Sequence, residues 1–143
     1  MTMQVTASPT STATVGLYLL KLRFTSQPGL VGGGSMTLAV TVDAATGAMH
    51  GQARGTLEAG TEHPSTFSAD ATGALHSTGL GSSVRVGAVR GEAFVSFPPP
   101  AIGSYLAPFS ASFSVDASWY GEGQFSVGNS TYACVVSPAG DAD

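Results

Sequence analysis

The feature that most constrains this chain is a series of short segments with a large apolar side chain at every second position. In a β-strand, successive side chains point to opposite faces of the sheet, so period two is typical of a strand with one buried face. No stretch keeps a helical period over three turns. The sequence therefore predicts an all-β protein. The clearest segments are residues 40–42, 49–57, 83–89, 113–119 and 132–136.

The polar faces of these segments carry very little charge. Only 10% of the residues are Asp, Glu, Lys or Arg, whereas about 25% is usual. The net charge is −4, and the five basic residues form no run longer than the Lys21/Arg23 pair. Nucleic-acid binding needs clustered basic side chains, and a membrane-surface helix needs a basic face. We therefore expect no nucleic-acid partner and no membrane partner.

The length of 143 residues suits one domain with a full core. We predict a single all-β domain over residues 13–138, flanked by flexible tails at 1–12 and 139–143. The N-terminus lacks the basic start and long apolar core of a signal peptide. The longest apolar stretch, Val15–Leu20, is too short to cross a bilayer. Cytoplasmic localisation is the default expectation, with export by a route without a cleaved signal as the alternative.

The first half of the chain gives the clearest strands. A strand is predicted from Thr14 to Phe24, with Tyr18, Leu20, Leu22 and Phe24 on one face. Strands at 36–43 and 49–57 form the best hairpin, because residues 43–47 are a strong turn signal in which Gly47 can adopt a positive φ. Small residues at 51, 53 and 55 on an otherwise apolar face indicate a crowded strand or a barrel corner.

The second half is interpreted through its glycines and prolines. Gly73 separates two weaker strands at 66–72 and 74–80, and Gly91 is the pivot of a hairpin formed by 83–90 and 92–97. A run of prolines at 98–100 cannot donate to a ladder. Residues 102–108 are predicted to be a loop that packs down on the protein, followed by strands at 110–120, 122–127 and 131–136. The core residues expected from the second hairpin are Val84, Val86, Phe94, Val95 and Phe97.

Eight or nine short strands joined by tight turns predict one antiparallel domain. An up-and-down β-barrel and a two-sheet β-sandwich both remove the exposed edges of such a meander. Consecutive short hairpins favour the barrel slightly.

Several short islands of the chain resemble an uncharacterised bacterial all-β family that is catalogued as a domain of unknown function. They are residues 15–20, residues 38–42 leading to Gly47 and Gly51, residues 116–121 and residues 135–138. The resemblance implies a small all-β bacterial protein, and it carries no catalytic residue to transfer.

The residues that could carry chemistry are few and dispersed. Cys134 is the only cysteine, which excludes an intrachain disulfide, and it is predicted to be a buried, inert thiol. His50, His63 and His76 are interpreted as surface residues in preference to a His/Glu metal site. No Gly-x-Ser-x-Gly elbow or phosphate-binding loop occurs. We predict no catalytic residue, no metal site and no cofactor.

One polar cluster stands above this background. If the pleat continues through the turn near residue 120, then Asp116, Ser118, Tyr120, Glu122 and Gln124 share a face opposite Phe113, Val115 and Trp119. Such side chains can hydrogen-bond sugar hydroxyls while an aromatic ring stacks on the sugar. A solvated outer sheet face is the alternative interpretation. The predicted ligand-binding residues are Asp116, Trp119, Tyr120, Glu122 and Gln124.

The low charge suggests function through assembly, because Ser, Thr, Ala and Gly cost little to desolvate when an interface covers them. The leading hypothesis is a non-enzymatic binding or assembly module that associates with itself. The alternative is a lectin-like or calycin-like barrel that holds a small molecule or glycan in its mouth. A third hypothesis is a hydrolase or isomerase built inside the barrel.

Overall fold

Eight long strands make up most of the described backbone. The computed structural model describes residues 16–26, 33–59, 64–78, 84–97 and 102–140, and these residues include no helix. Several regions named above lie outside these ranges: the predicted tail at 1–12, His63 and the proline run at 98–100. The glycine loop at 32–34 is described only from Gly33 onward. The strands are β1 (Leu17–Ser26), β2 (Gly33–Asp43), β3 (Ala48–Ala59), β4 (Ser65–Ser77), β5 (Arg85–Ser96), β6 (Ser104–Val115), β7 (Gly121–Val127) and β8 (Ser130–Pro138).

Each strand pairs antiparallel with the next one along the chain, and β8 pairs with β1 to close the sheet. The fold is an all-β, up-and-down, eight-stranded barrel, so the barrel prediction is confirmed over the sandwich. The closing ladder is short, running from Leu22↔Pro138 to Ser26↔Cys134. Closure removes the sheet edges that an open meander would leave unpaired.

Alternate residues of every strand fill the barrel interior. The predicted inward residues Leu20, Leu22 and Phe24 of β1 are buried, and the next strand contributes Met36, Leu38, Val40 and Val42. Aromatic rings meet across the lumen: Phe24 lies edge-on to Phe113 and Phe125, with ring centroids 6.2 Å and 6.5 Å away. An eight-stranded barrel is just wide enough for its own side chains to fill it.

The predicted turn at 43–47 is confirmed in detail. The carboxylate of Asp43 accepts hydrogen bonds from the backbone N–H groups of Ala45 and Thr46, at 2.9 Å and 3.3 Å. Gly47 has φ +82° and donates its N–H to the carbonyl of Asp43 at 2.7 Å. A Cβ at Gly47 would also collide with the carbonyl of Leu75. Glycine is therefore required here both by the backbone angle and by the close neighbour.

The two glycine breaks predicted in the second half are wrong. Gly73 and Gly91 lie inside the continuous strands β4 and β5. A Cβ at Gly73 would collide with the carbonyl of Ala88, and one at Gly91 with the carbonyl of Asp70. These glycines allow neighbouring backbones to approach in a tightly coiled sheet, and they end no strand.

The predicted core of this region is also largely wrong. Of its five residues, only Val95 is buried; Val84 is half-buried, and Val86, Phe94 and Phe97 are exposed. The predicted loop at 102–108 is strand from Ser104 onward, where Phe94 pairs with Leu106 and Val95 with Tyr105. Val86, Phe94 and Phe97 are not buried, because the strand alternation places the first two outside the wall and Phe97 beyond its rim.

Strand β6 ends five residues earlier than predicted. Residues 116–120 form a turn, so Ala117 and Trp119 do not extend the inward face of Phe113 and Val115. Asp116 closes the turn by donating its backbone N–H to the carbonyl of Tyr120 at 2.9 Å. The reversal occurs because Asp116 and the positive φ of Trp119 (+72°) replace the pleat with a compact loop.

Candidate functional site

The predicted ligand-binding cluster does not share one face, because the pleat stops before it. The carboxylate of Asp116 is directed into its own turn, where Oδ1 accepts hydrogen bonds from the backbone N–H groups of Ser118 and Tyr120, at 2.8 Å and 3.1 Å. Those two bonds are both made by Oδ1 and fix the orientation of the carboxylate within the turn. Asp116 therefore organises the β6–β7 turn.

Trp119 covers one end of the barrel. Its ring packs against the edge of the core, and the guanidinium carbon of Arg85 lies 4.3 Å from the ring centroid. The same guanidinium donates to the carbonyl of Ala117 at 2.9 Å. Tyr18 lies close enough for Arg85 to lower its pKa, although burial of the phenol is the larger effect and raises that pKa overall. The indole is therefore engaged in a structural cation–π contact.

Tyr120, Glu122 and Gln124 remain open to solvent. Glu122 and Gln124 point outward from β7, where they border a shallow depression of about 590 Å³ with Val86, Ser112 and Ser114. The structure thus brings together only two of the five predicted residues, on the outer wall. A ligand-binding role for the five stays a prediction.

The remaining candidate groups are separate. Cys134 is buried, as predicted, and burial raises the pKa of its thiol, an effect that the neighbouring Ser26 hydroxyl partly offsets. The thiol itself donates to the carbonyl of Tyr132 at 3.5 Å. His50 and His76 point outward at different levels of the wall, opposite Thr72 and Val86. In the part of the chain that the structure describes, no three His, Cys, Asp or Glu side chains are grouped to hold a metal ion.

The lumen is occupied by side chains. The Phe67 ring lies 5.9 Å from the rings of both Phe109 and Phe125, and Phe125 lies 5.1 Å from Tyr132. Together with the contacts of Phe24, these pairs link opposite walls of the barrel. Space that a ligand in the barrel mouth would need is thus taken up by the protein's own rings.

The most distinctive surface is an apolar ribbon formed by the paired ends of β5 and β6. We define the ribbon as residues 93–97 and 102–106. Its large side chains are between 43% and 97% exposed: Phe94 and Leu106 are on the outer face of the wall, whereas Phe97 and Tyr105 are on the lumen face beyond the rim. Residues 93–108 of the sequence contain no charged side chain. Soluble monomers rarely expose so contiguous an apolar group, and such patches mark interaction sites. Its exposed members are Phe94, Phe97, Ile102, Tyr105 and Leu106.

Cross-strand pairs hold the ribbon in a defined shape. Phe94 and Leu106 are direct partners and both point outward. Phe97 and Tyr105 stack with ring centroids 5.3 Å apart, and the Phe97 N–H donates to the carbonyl of Gly103 at 3.0 Å. Side chains already ordered by such pairs lose less conformational entropy when a partner covers them. The ribbon is therefore a preformed apolar surface.

This surface is not among the sites predicted from the sequence, because residues 102–108 are predicted there to be a loop. The available signal was the absence of charge over residues 93–108, which surrounds the prolines on both sides. Alternation alone could not show that Phe94 and Leu106 point outward, because the inward neighbour of each, Val95 or Ala107, is equally apolar.

No protein-family model, curated protein or solved structure matches the chain. The resemblance to a bacterial family therefore stays a prediction. No helix formed by the described residues is long and apolar enough to cross a membrane.

Proposed function

We propose that the protein is a non-enzymatic assembly module in which the apolar ribbon docks against the ribbon of a second copy. The observation that carries this proposal is the exposed Phe94–Leu106 pair on a strand ribbon with no charged residue. A charged partner would find no complementary group there. A second copy supplies an apolar surface of the same shape.

The ribbon is complementary to itself under two-fold symmetry. In a symmetric dimer, if one residue contacts another, the reciprocal contact also forms. A two-fold axis in the interface plane, running along the ribbon midway between β5 and β6, sets Phe94 of each copy against Leu106 of the other. The large ring and the smaller branched chain then alternate across the contact, as packed sheets require.

The exposed area sets the expected strength. A fully uncovered aromatic side chain presents roughly 150–250 Å². Only Phe94 and Leu106 lie on the outer face that the partner meets, because Tyr105 is the direct partner of the buried Val95 and points with Phe97 to the lumen side of the rim. The outer pair offers on the order of 200 Å² per copy, so two copies bury on the order of 400 Å² through it. This value is below the size of stable specific interfaces, as for a weak or transient contact. We therefore expect a reversible dimer whose population depends on concentration.

Sedimentation velocity over a wide range of protein concentration tests the proposal. The wild-type chain is expected to shift from monomer to dimer as concentration rises, and Leu106→Glu is expected to stay monomeric because it buries an unpaired charge in the contact. Leu19→Glu is the matched control: Leu19 is 60% exposed on β1, away from the ribbon, and this variant should dimerise like the wild type.

A charge swap tests the symmetry. Phe94→Lys and Leu106→Glu should each be monomeric alone, but an equimolar mixture should dimerise. In the mixed dimer the ammonium introduced in one variant faces the carboxylate introduced in the other, while the second contact stays native. A monomeric wild type at all concentrations, a dimer that survives Leu106→Glu, or a mixture that stays monomeric would each contradict the proposal.

A further inference from the structure

The positive charge of this acidic chain is concentrated on one part of the outer wall. Lys21, Arg23 and Arg54 are three of its five basic residues, and all three point outward from β1 and β3. Arg23 is the direct partner of Thr37, and Thr37 is the direct partner of Arg54. The two arginines are therefore two strand spacings apart, about 10 Å between backbones, with only a short side chain between them.

Neither arginine has an ion-pair partner among the described residues. Among the described residues, no carboxylate or carbonyl pairs with the guanidinium of Arg23 or Arg54. The nearest acid on the adjoining strand, Asp70, is the partner of Gln52, and its Oδ1 accepts the backbone N–H of Glu92 at 2.9 Å. Arg85, by contrast, is engaged with Trp119 and Ala117. Two always-charged groups thus face solvent side by side.

The arginines border an open groove of about 780 Å³ that extends from β1 to the start of β6. Apart from them and Phe94 at one side, the side chains along it are mostly hydroxyls, and their O–H groups can both donate and accept hydrogen bonds. The hydroxyl residues are Ser35, Thr37, Thr56, Thr66, Ser68, Ser96 and Ser104.

We propose that this groove binds an acidic oligosaccharide. A guanidinium binds a carboxylate or sulfate through two parallel N–H···O bonds. Two such groups set about 10 Å apart suit a ligand with anionic groups on separate sugar units. The serine and threonine hydroxyls match the remaining need of a sugar, whose hydroxyls must exchange both donors and acceptors. The inference goes beyond assembly and does not depend on it.

The same features select against other anions. A nucleic acid needs many phosphate contacts and usually aromatic platforms for its bases, whereas the groove offers two arginines on a chain of net charge −4. A small inorganic anion would bind one guanidinium and leave the hydroxyl side chains of the groove without a ligand partner. The ligand class that uses both the charges and the hydroxyls is an acidic saccharide.

Calorimetric titration at low ionic strength tests the assignment. The probes are a tetrasaccharide of galacturonic acid, a sulfated disaccharide and a neutral tetrasaccharide of galactose. Binding of at least one acidic probe is expected, with no binding of the neutral one; the two acidic probes distinguish carboxylate from sulfate recognition. Arg23→Gln and Arg54→Gln should each weaken binding about tenfold, because each removes a charge-assisted bond.

Arg90→Gln is the matched control, since Arg90 is exposed on β5 and does not border this groove; its affinity should equal that of the wild type. The inference is overturned if neither acidic probe binds, if the neutral saccharide or inorganic sulfate binds as well as they do, or if Arg90→Gln loses as much affinity as Arg54→Gln. Phe94, Ser96 and Ser104 belong to both the ribbon and the groove, whereas Arg23, Arg54 and Leu106 do not. Repeating the titration with Leu106→Glu, which is expected to stay monomeric, distinguishes failure of this inference from coverage of the groove by the dimer.

Discussion

The wall formed by β1 and β2 and the wall formed by β4 and β5 contribute to the core in opposite ways. The first pair directs Leu, Phe, Met and Val inward at almost every level, and most of these side chains are completely buried. The second pair directs mainly alanine and glycine inward. Its inward small residues are Ala69, Ala71, Gly73, Gly87, Gly91 and Ala93.

The difference reflects the limited width of the lumen. At a given level an eight-stranded barrel has room for large side chains from one side only, so the opposite side must be small. Gly87 illustrates this: a Cβ there would occupy the position of the Phe113 ring. At Gly34, a Cβ would come within 2.9 Å of the Phe125 ring. Bulk from one strand therefore dictates glycine on another.

Removing bulk from the filled wall should have the largest effect. Leu38→Ala is expected to lower the free energy of unfolding by about 3 kcal/mol, because the rigid barrel cannot close the cavity left by a completely buried side chain. Urea unfolding followed by Trp119 fluorescence measures it. Leu19→Ala, on the outer face of the adjacent strand, should change stability by less than about 0.5 kcal/mol. Equal losses in the two variants would show that β2 does not carry the core.

Adding bulk to the small wall should have the next largest effect. Gly73→Ala is expected to cost about 2 kcal/mol, because the new methyl group meets the backbone of Ala88 on the neighbouring strand. The same urea experiment measures it. Ala74→Val adds two methyl groups one residue further, on the outer face, and should be nearly neutral. If Gly73→Ala were neutral, the close approach of β4 and β5 would be wrong.

The two walls meet at the barrel end through Arg85 of β5, which stacks on Trp119 and lies near Tyr18 of β1. A double-mutant cycle of Arg85→Met and Trp119→Leu should give a coupling energy of about 1 kcal/mol, as expected for a partly desolvated cation–π pair. Additive effects of the two substitutions on the free energy of unfolding would show that the stacking contributes no stability.

The smallest effect concerns pH. Burial raises the pKa of Tyr18 above its usual value, with Arg85 opposing the shift. The folded state therefore favours the neutral phenol, and its contribution is complete below the pKa of the unfolded chain, about 10, and is lost as pH rises through that region. As the pH rises from about 9 to 11, the free energy of unfolding should therefore fall less in Tyr18→Phe than in the wild type.

Arg85→Met offers the converse test, because without the guanidinium the pKa of Tyr18 should rise further. The alkaline loss of stability should then become steeper than in the wild type. Cys134, whose pKa burial also raises, leaves a residual pH dependence in both variants. Identical profiles for the wild type and Tyr18→Phe would rule out Tyr18 as the source.

The sequence by itself determined the fold class and the parts of the barrel whose information is local. Strands β1 to β3 could be predicted because residues without polar side chains recur at every second position, as from Leu20 to Phe24 and from Met36 to Val42. The turn at Asp43 could be predicted because the hydrogen bonds that Asp43 accepts within it come from residues at most four positions away. The burial of Cys134 followed likewise from its apolar neighbours. In each case the physical cause lies within a few residues of its effect.

Only the tertiary structure decided what depends on contacts between distant strands. Gly73 and Gly91 resemble breaks until the carbonyl groups of Ala88 and Asp70 are seen beside them. Phe94 was expected in the core, and its outward direction follows from register against β4 and β6. Arg23 and Arg54 lie 31 positions apart along the chain, and the β1–β2–β3 ladder brings them together. Pairing register sets which face each side chain occupies, and it depends on partners that no local pattern specifies.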